Sequence, residues 1–211
     1  MFDSGQVVGK AFSVVKPYIK SIIETVDPLY VSFYKRRHKI NRPIPPMKLR
    51  VRISGDRWID EFMQVGHKCA NNLDEAVFLF SGKRLADYEK ILDFGCGCGR
   101  VMQYFFWNDL FKDVKLYGCD VDASAVNWMQ NNYSKDSFIV NSFEPPMPFE
   151  YNFFDLVYAY SVFTHLDEDM QFVWLKDIKR VLKPGGIALL TIHGKSALHE
   201  LTNSSNISRS L

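Results

Sequence analysis

No stretch of the 211-residue chain approaches the roughly 18 consecutive apolar residues that a membrane-spanning helix needs. The start does not read as a secretion signal either. Asp3 and Lys10 interrupt it, and no long apolar core precedes a small-residue cleavage site. A cytoplasmic location is therefore expected. Cysteine is scarce, with four residues at 69, 96, 98 and 119. Cys96-x-Cys98 lacks the usual zinc-ligand spacing and has no matching second pair, so reduced thiols and no metal site are expected. The glycine run at 95–99 is not followed by the G-K-[ST] of a phosphate-binding P-loop, and it lacks the G-x-G-x-x-G spacing of a dinucleotide site. Internal repeats are absent, and biased composition is confined to the Ser/Asn-rich residues 202–210.

What is present is ordinary in bulk and uneven in detail. At 47% hydrophobic and 24% charged residues, the composition fits a globular chain long enough to bury a good core. The net charge of +2 hides an asymmetry. Residues 35–52 hold eight cations (Lys35, Arg36, Arg37, Lys39, Arg42, Lys48, Arg50, Arg52) and no acid, leaving 18 of the 26 Lys/Arg against all 24 Asp/Glu elsewhere. Such a block can mark an anionic partner (nucleic acid, a membrane surface or a phosphorylated substrate), or it can be a solvated linker packed on the acidic domain.

The chain divides into a helical, basic extension over residues 1–55 and an α/β domain over 56–211. Val7, Val8, Phe12, Val15, Ile19, Ile22 and Ile23 form a helical stripe that Pro17 interrupts. It suits either a helix docked on the domain or one lying on a membrane surface. Pro43, Pro45 and Pro46 mark an extended linker. Residues 56–80 read as one or two helices, with Gly66 as a possible break. From residue 89 the pattern alternates. Strands are predicted at Lys90–Phe94, Val114–Cys119, Phe138–Val140, Phe154–Tyr160 and Ile187–Ile192. Helices are predicted at 99–111, 123–133 and 168–182. Alternation of this kind implies a mostly parallel, doubly wound sheet with right-handed crossovers.

The most informative stretch is Ile91-Leu92-Asp93-Phe94-Gly95-Cys96-Gly97-Cys98-Gly99-Arg100. It reads as a strand, a tight glycine turn and a helix. Glycine is used where φ must be positive or where a ligand must meet the backbone. A turn at a helix start can also offer amide donors to an anionic or polar group. A nucleotide-like cofactor is thus expected at the carboxyl end of the first strand. Asp120, 21 residues beyond Gly99, ends the second strand and can accept from ribose hydroxyls or cap the next helix. Asp122 fits the cap better. Val121 is placed to lean on an adenine face. Asn141 and Ser142 end the third strand, where they can read the adenine edge or form a turn.

Phe154-Asp155-Leu156-Val157 and Leu182-Lys183-Pro184-Gly185-Gly186 complete an ordered set with D-x-G-x-G-x-G and the acid after the second strand. Over residues 89–194 the chain resembles the class I, Rossmann-like S-adenosylmethionine-dependent methyltransferases. Glu144-Pro145-Pro146-Met147-Pro148-Phe149 and Ser161-Val162-Phe163-Thr164-His165-Leu166 look like the bacterial, small-molecule and glycan-associated members. The resemblance implies a strand order of 3-2-1-4-5 and S-adenosyl-L-methionine as cofactor. Gly95, Gly97 and the Cys96 backbone would line its methionine end, and Asp93 would fix the turn and, through water, the amino group. Asp120 would hold the ribose, and Ser161 would lie near the sulfonium.

The expected acceptor is a small molecule or a glycan or lipid-linked compound, methylated on O or N, and no nucleic acid is expected. His165, just past the fourth strand, is a candidate general base or a loop-shaping residue, with His193 as the alternative. The family's C-terminal antiparallel hairpin is apparently missing, since only 17 residues follow Gly194. A shortened chain, a partner (a second copy included) or the N-terminal segment would then deal with the exposed edge of the fifth strand. A non-catalytic binding module and an NAD(P)-dependent Rossmann oxidoreductase are the competing readings.

Overall fold

The computed structural model describes residues 21, 22 and 25–192. Most of the stripe over 7–24, His193 and the C-terminal tail lie outside them. The chain forms two compact units, residues 1–65 and residues 66–211.

In the first unit, residues 25–38 form helix α1 and Met47–Ser54 form α2. A third helix, α3 (Ile59–Ser81), begins here and runs on into the second unit. Residues 40–46 are non-helical, as the three prolines require. The α2 helix, which no apolar periodicity announced, is held by one buried acid. Asp27 accepts from the Met47 N–H at 2.6 Å and pairs with Arg50 at 3.0 Å. Arg50 is fully buried and also donates to the carbonyls of Pro45 and Arg57. One of the eight cations read as an exposed basic segment is therefore an internal strut. Gly55 closes α2 with φ +77°, its N–H reaching the Val51 carbonyl.

The second unit is a five-stranded parallel sheet in the order β3-β2-β1-β4-β5. The strands are β1 (Lys90–Phe94), β2 (Lys115–Asp120), β3 (Phe138–Val140), β4 (Phe154–Ala159) and β5 (Leu182–Leu190). Helices α4 (Gln103–Phe106), α5 (Ala123–Asn132) and α6 (Glu168–Val181) connect them. Alternate strand residues feed two cores. Ile91, Leu116, Leu156 and Tyr158 pack with Leu73 and Val77 of α3, Phe105 and Met129. Leu92, Phe94, Val157 and Ala159 pack with Trp174, Ile178 and Val181 of α6. With both faces covered, the interiors of β1, β2 and β4 are largely apolar, Asp93 and Asp155 excepted.

Three elements differ from expectation. The helix predicted over 99–111 shrinks to Gln103–Phe106. Gly97 and Gly99 hold positive φ (53° and 77°), so the chain is still turning there, and Asn108 then caps a separate 3-10 turn at Asp109–Phe111. Gly66 does not break α3. It lies inside the helix because a Cβ there would stand 2.2 Å from the Arg100 carbonyl oxygen. The fifth strand starts at Leu182, with Leu182-Lys183-Pro184-Gly185-Gly186 absorbed as an irregularity. Phe154 faces Leu182 while Leu156 already faces Ile187. Two motif residues meet there. Asp155 accepts from Lys183 Nζ at 2.8 Å and from the Lys90 N–H at 2.9 Å, tying β4, β5 and the start of β1 together.

Candidate cofactor-binding site

The glycine loop leaves β1 at its carboxyl end, and its amides are already spent. Gly95 and Cys96 both donate to the Cys119 carbonyl (2.8 and 3.0 Å). Gly97 donates to Asp120 Oδ2 at 2.8 Å, and Gly99 donates to the Cys96 carbonyl at 2.9 Å. The expected display of free N–H groups toward an anion is therefore corrected at these four positions. What the glycines provide is a tight path and room. A Cβ on Gly95 would meet Val162 at 2.2 Å, and one on Gly99 would meet Met129 at 2.6 Å. Neither contact was visible in the sequence, because each joins segments far apart in the chain.

Two carboxyl groups flank this loop. Asp120 holds it directly through Gly97, and its other oxygen accepts from the Asp122 N–H at 2.8 Å. Burial pushes the Asp120 carboxyl above its usual range, while those two backbone donors oppose the rise. A carboxylate has about four lone-pair sites, so a partly exposed Asp120 retains capacity for hydroxyl donors. Capping falls to Asp122, which accepts from Ser124 and Ala125 at 2.9 and 3.2 Å. Asp93 is buried, and burial raises its carboxyl to about 7. The Tyr158 hydroxyl lies close enough to oppose that rise but has no partner in hydrogen-bond geometry. The thiols of Cys96 and Cys119 are pushed up by burial as well, so both stay neutral.

Past β3, Asn141 is 92% buried by its 8% exposure, and its backbone N–H donates to the Asp120 carbonyl at 3.1 Å. Its Nδ2 reaches the Ser142 carbonyl, whereas its Oδ1 is buried with no partner. Ser142 is exposed, and its hydroxyl accepts from the Glu144 N–H at 3.4 Å, a turn-forming role. Val121 is exposed beside Asp120. The strand ends thus bring Asp93, Asp120, Val121 and Asn141 to one end of the sheet.

Ser161 follows β4 with φ +61°, unusual for a residue with a side chain. Its N–H donates to Thr191 Oγ1 at 2.6 Å, so Thr191, a residue the sequence did not single out, pins this turn. Val162, next along, is the residue that fills the hollow of Gly95. His165 is exposed at the end of the 3-10 turn Phe163–His165. It shares the β4 exit with Ser161, and it stands on the rim rather than inside the core.

Against this geometry, residues 92–190 match a protein family described as a methyltransferase domain. A tRNA N(3)-cytidine methyltransferase METTL2 of Gallus gallus is 31% identical over 120 residues, covering 53% of this chain and 32% of that protein. The mitochondrial arginine-hydroxylase NDUFAF5 of Mus musculus is 32% identical over 117 residues, covering 54% of this chain and 32% of that one. The chain spans about a third of the length of these curated relatives. Among solved structures, the PH0226 protein of Pyrococcus horikoshii aligns with a TM-score of 0.48 and 22% identity, covering 69% of this chain and 63% of that one.

Proposed function

We propose that this chain, whose residues 92–190 match a methyltransferase domain, is an S-adenosylmethionine-dependent methyltransferase acting on an O or N atom of a small-molecule or glycan-type acceptor. The observation that carries the reading is the loop whose amides at Gly95, Cys96, Gly97 and Gly99 are all occupied, set between the carboxyl groups of Asp93 and Asp120. A pyrophosphate needs free donors and positive potential. This loop offers carboxyl acceptors and, at those four positions, no free amide donors. It suits a ligand with ribose hydroxyls, a cationic end and no pyrophosphate, which describes S-adenosylmethionine and not a dinucleotide.

The residues fit that cofactor. Asp120 has acceptor capacity for the ribose hydroxyls, and the orphaned Oδ1 of Asn141 suits an amino group on the adenine edge. Val121 offers an apolar side chain to the base. Asp93, close to Gly95 in the chain, balances the cationic amino group. When bound, S-adenosylmethionine supplies an electrophilic methyl carbon on a sulfonium. The protein's own share of the catalysis is then alignment of acceptor and donor in one line. Ser161 and His165 stand where β4 exits, and His165 is assigned the role of taking a proton from an acceptor hydroxyl.

The acceptor class does not come from the relatives. Two of nearly equal identity are named for different reactions on different substrates, and each shares only one domain's length with this chain. Incubation with S-adenosylmethionine labelled in the methyl group, followed by mass-resolved fractions of metabolites, glycans and RNA, tests the proposal. Label in small molecules or glycans supports it. Label in RNA alone moves the acceptor to nucleic acid. Binding of S-adenosylhomocysteine without label in any fraction points to a binding module.

A further inference from the structure

We infer that α1 is a docking helix for an anionic bilayer surface. The inference is independent of the methyl-transfer reading, because it uses residues of the first unit only. Val26, Leu29 and Phe33 are 51%, 71% and 63% exposed. Ile22, in phase one turn earlier, is 62% exposed, and the Thr25 hydroxyl bonds back to the Ser21 carbonyl across that turn. At about 100° per residue, these four side chains fall within about 60° of one another. The opposite side of the helix carries its buried groups: Asp27, paired with Arg50, and Tyr34, whose hydroxyl meets Asp60 at 2.5 Å. The helix thus has its packed face elsewhere, and a continuous apolar stripe remains uncovered.

A contiguous exposed stripe of this kind marks an interaction surface. The charges beside it select the partner. Arg36 and Arg37 are exposed and continue the stripe, one on each flank by the same helical arithmetic. Between residues 25 and 55 the one acidic residue is Asp27, which is buried and spent on Arg50. Residues 25–55 therefore border the stripe with cations and no free carboxylate, and Asp60, a described acid beyond them, is bonded to Tyr34 on the packed side of the helix. An apolar face with cations at its border is the pattern of a helix lying in the interface of an anionic membrane. No helix among the described residues is long and apolar enough to cross one, so the contact is peripheral. A partner helix or a second copy would also cover apolar side chains. Either would be expected to place acids opposite this cluster, and a second copy has none on the same face.

Co-sedimentation of the whole chain with phosphatidylcholine vesicles, with and without phosphatidylserine, tests this. Binding is expected to the phosphatidylserine vesicles and to weaken as salt rises. Leu29→Glu with Phe33→Glu should abolish it. Arg36→Gln with Arg37→Gln should lower affinity by about twentyfold, the scale for two cations at an anionic surface. All four side chains are exposed, and an unchanged melting temperature verifies that the variants fold. No binding to either vesicle, or binding indifferent to both pairs, overturns the inference. A dimer in sedimentation equilibrium that Leu29→Glu with Phe33→Glu converts to monomer also overturns it, assigning the stripe to a second copy.

Discussion

Asp93 on β1 and Tyr158 on β4 are register partners on neighbouring parallel strands, and both are buried beneath the glycine loop. Burial disfavours the charged carboxylate, so Asp93 keeps its proton up to about pH 7. The unfolded chain gives that proton up near 3.8. Between those values the folded state binds more protons than the unfolded one, so stability falls as pH rises through the window. Asp93→Asn should remove that fall and gain on the order of a few kcal/mol above pH 7. Thermal melts from pH 4 to 8 check it. A bound ammonium favours the ionised carboxyl, so wild-type affinity for S-adenosylhomocysteine should rise severalfold through about pH 7. Asp93→Asn should bind weakly with no such rise, as calorimetry at two pH values would reveal.

Gly66 offers a test in which two physical effects have opposite signs. In a helix interior, Gly→Ala normally stabilises by about 1 kcal/mol. Here the added methyl would stand 2.2 Å from the Arg100 carbonyl oxygen, a backbone atom that Gln103 Nε2 also holds. Overpacking of that kind costs about 1–3 kcal/mol. Gly66→Ala should therefore destabilise the chain in urea titrations and loosen cofactor affinity, because Arg100 directly follows the glycine loop. A gain in stability would mean that α3 yields at this point.

Asp120 serves the loop and the ligand together. Asp120→Ala should weaken S-adenosylhomocysteine binding by about 1.5–3 kcal/mol, the scale for hydrogen bonds to a charged group. Because Gly97 N–H loses its acceptor as well, the variant should also melt earlier. Asp120→Asn keeps an acceptor for Gly97 and should recover most of the stability but little of the affinity. Calorimetry and melts on both variants separate the two roles.

These contacts mark what the sequence could disclose. Most strand positions were legible because buried parallel strands are apolar runs bounded by turn residues, as Ile91-Leu92 and Leu156-Val157 are, while the strand order followed from the family resemblance. Asp120 and the glycines were legible because their chemistry is local to one strand end. The short α4 was not, since Val101, Met102 and Phe105 are apolar for reasons of packing while Gly99 is still turning the chain. Arg50 read as one cation among eight, for nothing in a charge run says which member meets a buried Asp27. Thr191, Val162 and Gly66 act through partners that are distant in sequence, and only the fold brings them to the loop.

Arg50 and Asp27 form a buried pair, and the charge that remains after removing one partner is the costly one. Asp27→Ala should destabilise the first unit by about 3–5 kcal/mol, the cost of an uncompensated buried ion. It also frees the Met47 N–H at the start of α2. Replacing Arg50 and Asp27 together with Met and Leu should cost much less than either single change. A double-mutant cycle in guanidinium titrations measures the difference. Near-additive losses would mean that the two side chains act separately.

His165 separates proton transfer from pocket shape in a kinetic test. It is exposed on the turn after β4, beyond Ser161, whose backbone Thr191 holds in place. If it accepts a proton from an acceptor hydroxyl, His165→Ala should lower kcat by about a hundredfold while S-adenosylhomocysteine affinity stays within twofold. His165→Gln keeps a hydrogen-bonding group without a base and should behave like the alanine variant. A Gln variant that restores turnover would make His165 a shaping residue of the rim. An equal loss of turnover and cofactor affinity would place its effect on the fold of the β4 exit.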